Sequence, residues 1–547
     1  MATPLRIIPL GGLGEVGKNM TAFEYGKNII LIDCGIMFPE NDMLGIDFII
    51  PDWTYLRDKR DIIRGIIITH GHEDHTGGLP YFLKEFPEVP VFATKLTRGL
   101  IEVKLKSHKI LDDVRLNTIE AGGHLDLGPF GLEFFRVAHS IPDGVGVGIT
   151  TPAGLVVHTG DFKFDHTPVD GKPTDFAKLA EFGGRGVLAL MSDSTNADQP
   201  GTTPSERVID AAFAQVFREA KGRIIVGTFA SLISRIQQVA NAAVKYNRKL
   251  ALAGTSMVEN VKMAQRLGYL VFPDDLIVRL EDTKKMSPDR IVIMTTGTQG
   301  EPSSVLARMS VGEHSQLQVE RGDTIIMSSH PIPGNEEMVH RTINRLFQRG
   351  ANVLYDPIAQ VHVSGHASQE EQKLMLNLVK PDYFMPVHGE LRHLRAHEHL
   401  AQQVGVLPQN IFVLENGYSL EFSEGEARVG ERVPGGYVYI DGSGVGDVGP
   451  AVLRDREILS RDGFVVVAMH RDPDRGLVLD RPDIVTRGFV YTQEAQDLIN
   501  GAADVVLKVC ENTTLEDKAL KDKVQESLGS YLYKETKRRP MIIPVLA

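Results

Sequence analysis

The chain has 547 residues, 42% hydrophobic and 24% charged, which allows a large apolar core and about three domains at roughly 100–200 residues each. A formal charge of −12 and a pI near 5.9 exclude a surface coated uniformly in basic side chains, though not a local basic groove. With only two cysteines, Cys34 and Cys510, a disulfide scaffold and a cysteine-rich zinc site are also excluded. The N-terminus lacks an apolar core of roughly 7–15 residues, and no apolar run approaches the ~18 residues that span a bilayer. A cytoplasmic protein without membrane association is therefore expected.

Along the first 170 residues, short apolar bursts bounded by Gly and Pro predict strands at Leu5–Leu10, Asn28–Ile32, Gly65–Thr69, Leu132–Val137 and Leu155–His158. The texture changes after Asn196. Thr203-Pro-Ser-Glu206 reads as a helix start, and Ile209, Phe213, Val216 and Phe217 recur at helical spacing. A strand at Arg223–Gly227, a helix at Ser231–Tyr246 and a strand at Lys249–Ala253 continue a β/α alternation to about Leu354, the pattern of a parallel-sheet domain. Short strands resume at Pro381–Val387. Beyond Gly435, a Gly-rich turn (Asp441–Asp447) precedes two strands and two helices, Thr492–Val509 and Leu515–Lys537. The expected division is a β-rich core in two parts (1–196 and 358–432), an α/β insert (197–357), a linker (433–450) and a C-terminal α+β domain (451–547).

Gly12-Leu-Gly14-Glu-Val-Gly17 matches the dinucleotide-binding pattern G-x-G-x-x-G, but that mechanism needs a helix directly after the glycines. Met20–Tyr25 and Asn28–Ile32 read instead as strands, so a strand–turn–strand is expected.

The chemistry concentrates at His70-Gly-His72-Glu-Asp74-His75, which follows the strand Gly65–Thr69. Imidazole and carboxylate are common ligands of Zn²⁺ and Mn²⁺. Further ligand types, His139, Asp161 and His388, stand after other strands. Together they offer five His and two Asp, enough for two divalent metals. Asp161 suits a bridging position, because a carboxylate can give one oxygen to each metal. Such a pair can clamp a phosphodiester around a bridging hydroxide.

In this chain order the seven residues resemble the ligand motifs of the metallo-β-lactamase fold. That resemblance implies an αββα sandwich with a dinuclear site at one edge. Asp193 in Met191–Asn196, His362-Val363-Ser364-Gly365-His366-Ala367-Ser368 and Met385-Pro-Val-His388 resemble the three motifs of the β-CASP nucleases. Thr296–Pro302 and His330–Glu336 are similar to strings of that group. Within it the chain most resembles the bacterial RNase J family, through the C-terminal Lys534–Pro540.

The resemblance implies a two-metal ribonuclease with 5′→3′ exonuclease and endonuclease activity, favouring 5′-monophosphate ends, in RNA maturation and mRNA decay. Asp74 would bind a metal and orient the hydroxide. His366 would be the general acid, and Asp193 would orient either His366 or a metal-binding histidine. Ser364, Gly365, Ser368 and their neighbours His362 and Val363 offer donors suited to phosphate. Ser231 and Arg235, where a strand gives way to a helix, would either bind phosphate or cap the helix. Related enzymes suggest a structural Ca²⁺ at Asp47 and Asp441 and a homodimer or homotetramer formed through the basic C-terminal end. His393 and His397, four residues apart, read as a solvated helix face rather than a metal site. The competing readings are a hydrolase of DNA or a small molecule on the same fold, against which the large insert and His366 count, and a silent RNA-binding partner subunit, which would have lost ligands.

Overall fold

In the computed structural model, residues 3–332, 334–470, 480–491, 495–511 and 515–546 are described. Thr492–Glu494 of the expected helix and Pro333 of the His330–Glu336 string lie outside them. The chain divides into two compact units: Met1–Phe38 with Phe48–Val438, and Pro39–Asp47 with Tyr439–Ala547.

The larger unit is built on two sheets. The first runs Glu426–Arg432, Tyr418–Ser423, Leu5–Gly11, Met20–Tyr25, Asn28–Ile32, Ile63–Ile68, Val91–Ala93 and Leu116–Thr118. The second runs Pro381–Val387, Val187–Asp193, Gly154–His158, Val145–Thr151, Phe130–Arg136 and His124–Leu127. Alternating side chains of both, among them Ile7, Phe23, Ile30 and Ile67 from one and Leu132, Val147, Val156 and Met191 from the other, interdigitate in a buried layer, as faces of packed sheets do. On its outer face the second sheet packs Phe135, Val157 and Leu190 against Leu179, Phe182, Met375 and Leu376 of the helices Phe176–Arg185 and Gln369–Val379. The layering is αββα.

The insert carries a third, wholly parallel sheet: Ile277–Val278, Lys249–Ala253, Ile291–Thr295, Ile224–Gly227, Thr324–Met327 and Asn352–Leu354. Its central strands are buried along their whole length and apolar but for Thr295 and Thr324, as strands covered on both faces should be. Its first helix begins at Val208 rather than at Thr203–Glu206. Tertiary partners hold the expected start: the Thr203 N–H donates to Glu371 and the Glu206 N–H to Asp165.

In the smaller unit a three-stranded sheet, Asp483–Arg487, Phe464–Met469 and Met541–Leu546, packs against the helices Gln496–Cys510 and Asp517–Thr536. Two features differ from the sequence reading. Residues 433–450 contain the strands Tyr437–Asp441 and Gly444–Val445, and a helix at Pro450–Asp462 precedes the sheet. Asp441 and Asp47 are engaged by groups of the protein itself. A guanidinium stands where a cation would: Arg456 pairs with the Asp441 carboxylate, while Asp47 accepts from the Gly442 N–H at 2.7 Å. No helix among the described residues is long and apolar enough to cross a membrane.

Candidate metal centre

Most of the ligand-type residues sit at or just past the end of a strand. His70 follows Ile63–Ile68, His139 follows Phe130–Arg136, Asp161 follows Gly154–His158, Asp193 ends Val187–Asp193 and His388 follows Pro381–Val387. His72 precedes, and Asp74 and His75 lie in, a one-turn helix, Glu73–Thr76. Both sheets therefore deliver side chains to one edge. His388 adopts a left-handed backbone (φ 52°), a conformation that costs free energy for a non-glycine residue and clusters at functional sites.

Two overlapping donor sets are made by the seven ligand-type residues, and a third joins Asp161 and His388 to Asp193 and His366. In the first, His70 Nε2 lies 3.0 Å from His72 Nδ1, which lies 3.1 Å from His139 Nε2; Asp161 Oδ2 is 3.6 Å from His70 Nε2 and 3.8 Å from His139 Nε2. In the second, His75 Nε2 is 3.5 Å from Asp74 Oδ2 and 3.2 Å from Asp161 Oδ2, and His388 Nε2 is 3.3 Å from Asp74 Oδ2. Ligands about 2.0–2.1 Å from a tetrahedral ion stand roughly 3.3 Å apart, so both sets have the right span. No hydrogen bond of good geometry satisfies the buried Asp161 Oδ2 or His388 Nε2, whose near neighbours are other ligand-type atoms at 3.2–3.8 Å, and buried polar groups left so are costly unless something satisfies them. The donor set fits divalent metals. Asp161 belongs to both sets: Oδ2 lies nearest His70, His75 and His139, while Oδ1 faces His388 Nδ1 at 2.8 Å.

Charge divides the histidines. Burial and neighbouring imidazoles push His70 and His139 well below the ordinary histidine value, and burial brings His72 to about 4. These three are neutral, ready ligands. At His75 and His388 burial also opposes charge, but Asp161 and Asp74 outweigh it. His75 is held well above the ordinary value and His388 is raised to about 10. The carboxylate field that keeps protons there is the field that attracts cations.

His366 completes the edge. Its Nδ1 meets Asp193 Oδ2 at 2.8 Å, whereas Asp193 stands 3.7 Å from His388 Nδ1. The histidine that Asp193 orients is therefore His366. Burial disfavours the imidazolium, yet Asp193 prevails and raises the His366 pKa. Thr195 anchors the other Asp193 oxygen through its N–H at 2.9 Å and its hydroxyl at 2.7 Å.

The residues read as phosphate ligands divide. Arg235 is buried, and its guanidinium donates to Gln238, Ser328, the Val361 carbonyl and Glu206. It has no fork to offer a phosphate. Ser368 is buried as the N-cap of Gln369–Val379, in a capping box with Glu371. Val363 is core. Gly365 has a packing reason: a Cβ there would lie 2.5 Å from the His139 ring. Ser231, His362 and Ser364 are half-buried. The Ser364 hydroxyl accepts from Asn196, while His362 Nδ1 has no partner. His393 and His397 do not face solvent: both are buried on the inner side of Leu391–Gln403, the first capping the Glu390 N–H and the second 3.0 Å from the Ser194 hydroxyl.

Sequence reasoning missed several supporting residues. Asp33 fixes His75 through Nδ1 at 2.7 Å, and the Gly365 carbonyl fixes His139 through Nδ1 at 2.7 Å, the usual way a metal-binding histidine is oriented. The glycine-rich loop is followed by no helix. It turns on Gly12 (φ 90°), where a Cβ would strike Asn19 at 2.2 Å, and it carries the Asn19 amide to His75 Nε2 at 3.2 Å. A polar residue following a strand was the available signal for Asp33.

Family models match four segments: "Metallo-beta-lactamase superfamily" over 13–198, "Ribonuclease J, beta-CASP domain" over 221–346, "Zn-dependent metallo-hydrolase RNA specificity domain" over 350–414 and "Ribonuclease J C-terminal domain" over 451–547. The chain is 43% identical to Ribonuclease J2 of Bacillus subtilis, across 99% of this chain and 98% of that protein. It is 44% identical to Ribonuclease J of Thermus thermophilus, across 99% and 95%. A crystal structure of a protein of unknown function from Enterococcus faecalis V583 aligns with a TM-score of 0.54 at 14% identity, over 76% of this chain and 100% of that one. That likeness shows the fold alone.

Proposed function

The chain belongs to the ribonuclease J family, and on that premise we propose that it is a two-metal ribonuclease that degrades RNA from the 5′ end and also cuts internally, favouring 5′-monophosphate ends. The observation that carries this reading is two donor sets sharing Asp161, with the Asp193–His366 pair beside them. His70, His72, His139 and Asp161 would hold one divalent cation, and Asp74, His75, His388 and Asp161 the other. The all-nitrogen-and-oxygen set suits Zn²⁺ or Mn²⁺. When bound, such cations supply Lewis acidity and lower the pKa of water to roughly 7.

The chain's own groups supply the rest. Asp74, 29% exposed at its side chain, would face the attacking water and align it with the phosphorus. As the P–O3′ bond breaks, the leaving oxygen needs a proton. His366 is a fifth exposed, and the Asp193 carboxylate raises its pKa, which favours the protonated, donating form. With Nδ1 held by Asp193, Nε2 is the nitrogen that donates. The products are a 5′-phosphate and a 3′-hydroxyl. Ser231, Ser364 and the unpartnered His362 are the groups we assign to phosphate contacts.

We retain the division into a core (1–196 and 358–432), an insert (197–357) and a C-terminal domain (451–547), which the separate sheets support. A homodimer or homotetramer is supported by Val485, Ile543 and Val545, 40–49% exposed on the C-terminal sheet. Unpaired, buried Cys34 and Cys510 fit a cytoplasmic location. The test is degradation of 5′-monophosphate and 5′-triphosphate RNA with Mn²⁺ or Zn²⁺, reading product lengths. Faster mononucleotide release from the monophosphate is expected. No metal-dependent RNA cleavage, or preferred cleavage of DNA, would overturn the reading.

A further inference from the structure

We propose that Arg235, Glu206 and Lys163 form a buried ionic relay that positions His366 by fixing the carbonyl groups of the loop that carries it. The proposal rests on the reading of His366 as proton donor.

Residues 361–368 form neither helix nor strand, so no backbone ladder sets their course. Side chains do so instead. The Val361 carbonyl accepts from Arg235 at 2.9 Å and from Ser328 at 2.6 Å. The Ser364 carbonyl accepts from Lys163 at 3.0 Å. The His366 carbonyl accepts from Thr203 at 2.6 Å and Asn196 at 3.1 Å. Buried carbonyls need such partners, and here the partners dictate the path of the loop.

The two cations share one carboxylate. Glu206 Oε2 pairs with Arg235 at 2.7 Å, and Oε1 lies 3.4 Å from Lys163 Nζ. All three are at most 4% exposed. Lys163 follows Asp161 by two residues, while Arg235 lies on the insert helix Ile233–Lys245. The relay therefore ties the segment bearing the shared metal ligand to the insert, with the His366 loop between them. Apolar packing could replace such buried charges with little loss of stability, so the effect of the relay lies in fixing geometry. Asp193 sets the ring of His366; the relay sets the height of its backbone. A displacement of about 1 Å is enough to lose on the order of a hundredfold in rate.

The experiment varies the leaving atom. One substrate is a 5′-monophosphate RNA oligonucleotide. The other is the same RNA with the scissile 3′ oxygen replaced by sulfur, which departs as a thiolate and needs no proton. Arg235→Lys keeps the charge and a contact with Glu206 but cannot also reach Val361 and Ser328. It is expected to bind two metals, to lose roughly tenfold to a hundredfold in single-turnover rate on the oxygen substrate, and to stay within about twofold of the parent on sulfur. Ser328→Ala, a smaller change in the same network, should show the same split, and serves if Arg235→Lys does not fold. Equal loss on both substrates, or an unchanged oxygen rate, would overturn the relay. His366→Ala is the control: if sulfur fails to restore its rate, the proton-donor reading falls rather than the relay.

Discussion

Replacing Asp33 by Asn should empty one metal site and leave the other. Asp33 is 1% exposed, follows the strand Asn28–Ile32 and has φ 61°, a left-handed conformation that Asn tolerates. The substitution therefore preserves shape and backbone. Asp33 Oδ1 accepts from the Thr69 N–H at 2.8 Å, while Oδ2 accepts from the Thr69 hydroxyl at 2.8 Å and meets His75 Nδ1 at 2.7 Å. This arrangement puts the imidazole proton on Nδ1 and leaves Nε2 free for a metal. An Asn has two ways to sit. If its NH₂ faces His75, Nδ1 must accept, the proton moves to Nε2, and the ligand is lost. If its oxygen faces His75, the NH₂ confronts the Thr69 N–H, and a buried donor goes unsatisfied at about 1–3 kcal/mol. Loss of such an orienting partner typically weakens metal binding by about 10–100-fold, equivalent to about 1.4–2.7 kcal/mol. After dialysis at a metal concentration that fills both parent sites, Asp33→Asn should retain one ion per chain, the one held by His70, His72 and His139. Metal analysis and titration calorimetry read this directly. Two ions bound with parental affinity would refute the argument.

Three further outcomes are expected. His75 and His388 (pKa about 10) carry protons that a cation must displace, so binding at pH 7 should release up to about two protons, and affinity should rise with pH; calorimetry in buffers of different ionisation heat that shows no release would contradict this. Burial lowers His397 to about 3, so the unfolded chain gains a proton below its ordinary value of about 6.5 while the folded chain does not. Stability is then lost as pH falls from that value towards 3, by about 2 kcal/mol at pH 5; urea unfolding at pH 5 and 7.5 should show His397→Gln relieved of that difference, and equal differences would refute the cause. Ser368→Ala should cost about 1 kcal/mol of stability through its lost cap while leaving the KM for RNA unchanged; a raised KM would restore Ser368 as a substrate contact.

The ligand positions could be read because most follow a strand, and strand ends show in the local pattern of apolar runs and glycines. Their partners could not. Asp33 stands 42 residues from His75, Lys163 201 from Ser364, and Arg235 126 from Val361. Nothing local marks such pairs. Arg235 shows the error most clearly. A serine and an arginine at a helix start read as anion donors until a distant carboxylate, Glu206, is seen to occupy the guanidinium. At His393 and His397 the spacing gave the correct shared face but not its side, because the polar sequence of Leu391–Gln403 conceals an inner face with Leu394, Leu400 and Ala401. The helix Pro450–Asp462 escaped for the opposite reason: only Asp462 is buried, so no apolar stripe announces it.

The charge balance gains meaning from the same pairings. Residues 197–357 carry 19 Lys/Arg against 17 Asp/Glu, leaving 40 against 54 elsewhere. Much of the insert's charge is spent internally, in Arg235–Glu206, Arg223–Asp323 at 2.6 Å and Lys249–Asp275 at 2.6 Å. Such pairs cancel and leave the net of +2 unchanged, which over 161 residues is too small to describe a basic surface. At the metal centre the four carboxylates of Asp33, Asp74, Asp161 and Asp193 stand against four positive charges from two divalent cations, and the neutral His70, His72 and His139 subtract nothing. On the proposed function, the positive potential that an RNA phosphate meets would be confined to the cations, inside an acidic protein. A polyanion is attracted at the reacting phosphate and repelled by the bulk. An acidic pI and an RNA substrate are then compatible for a local reason: on the proposed function, the field would be made by the cations at the site itself.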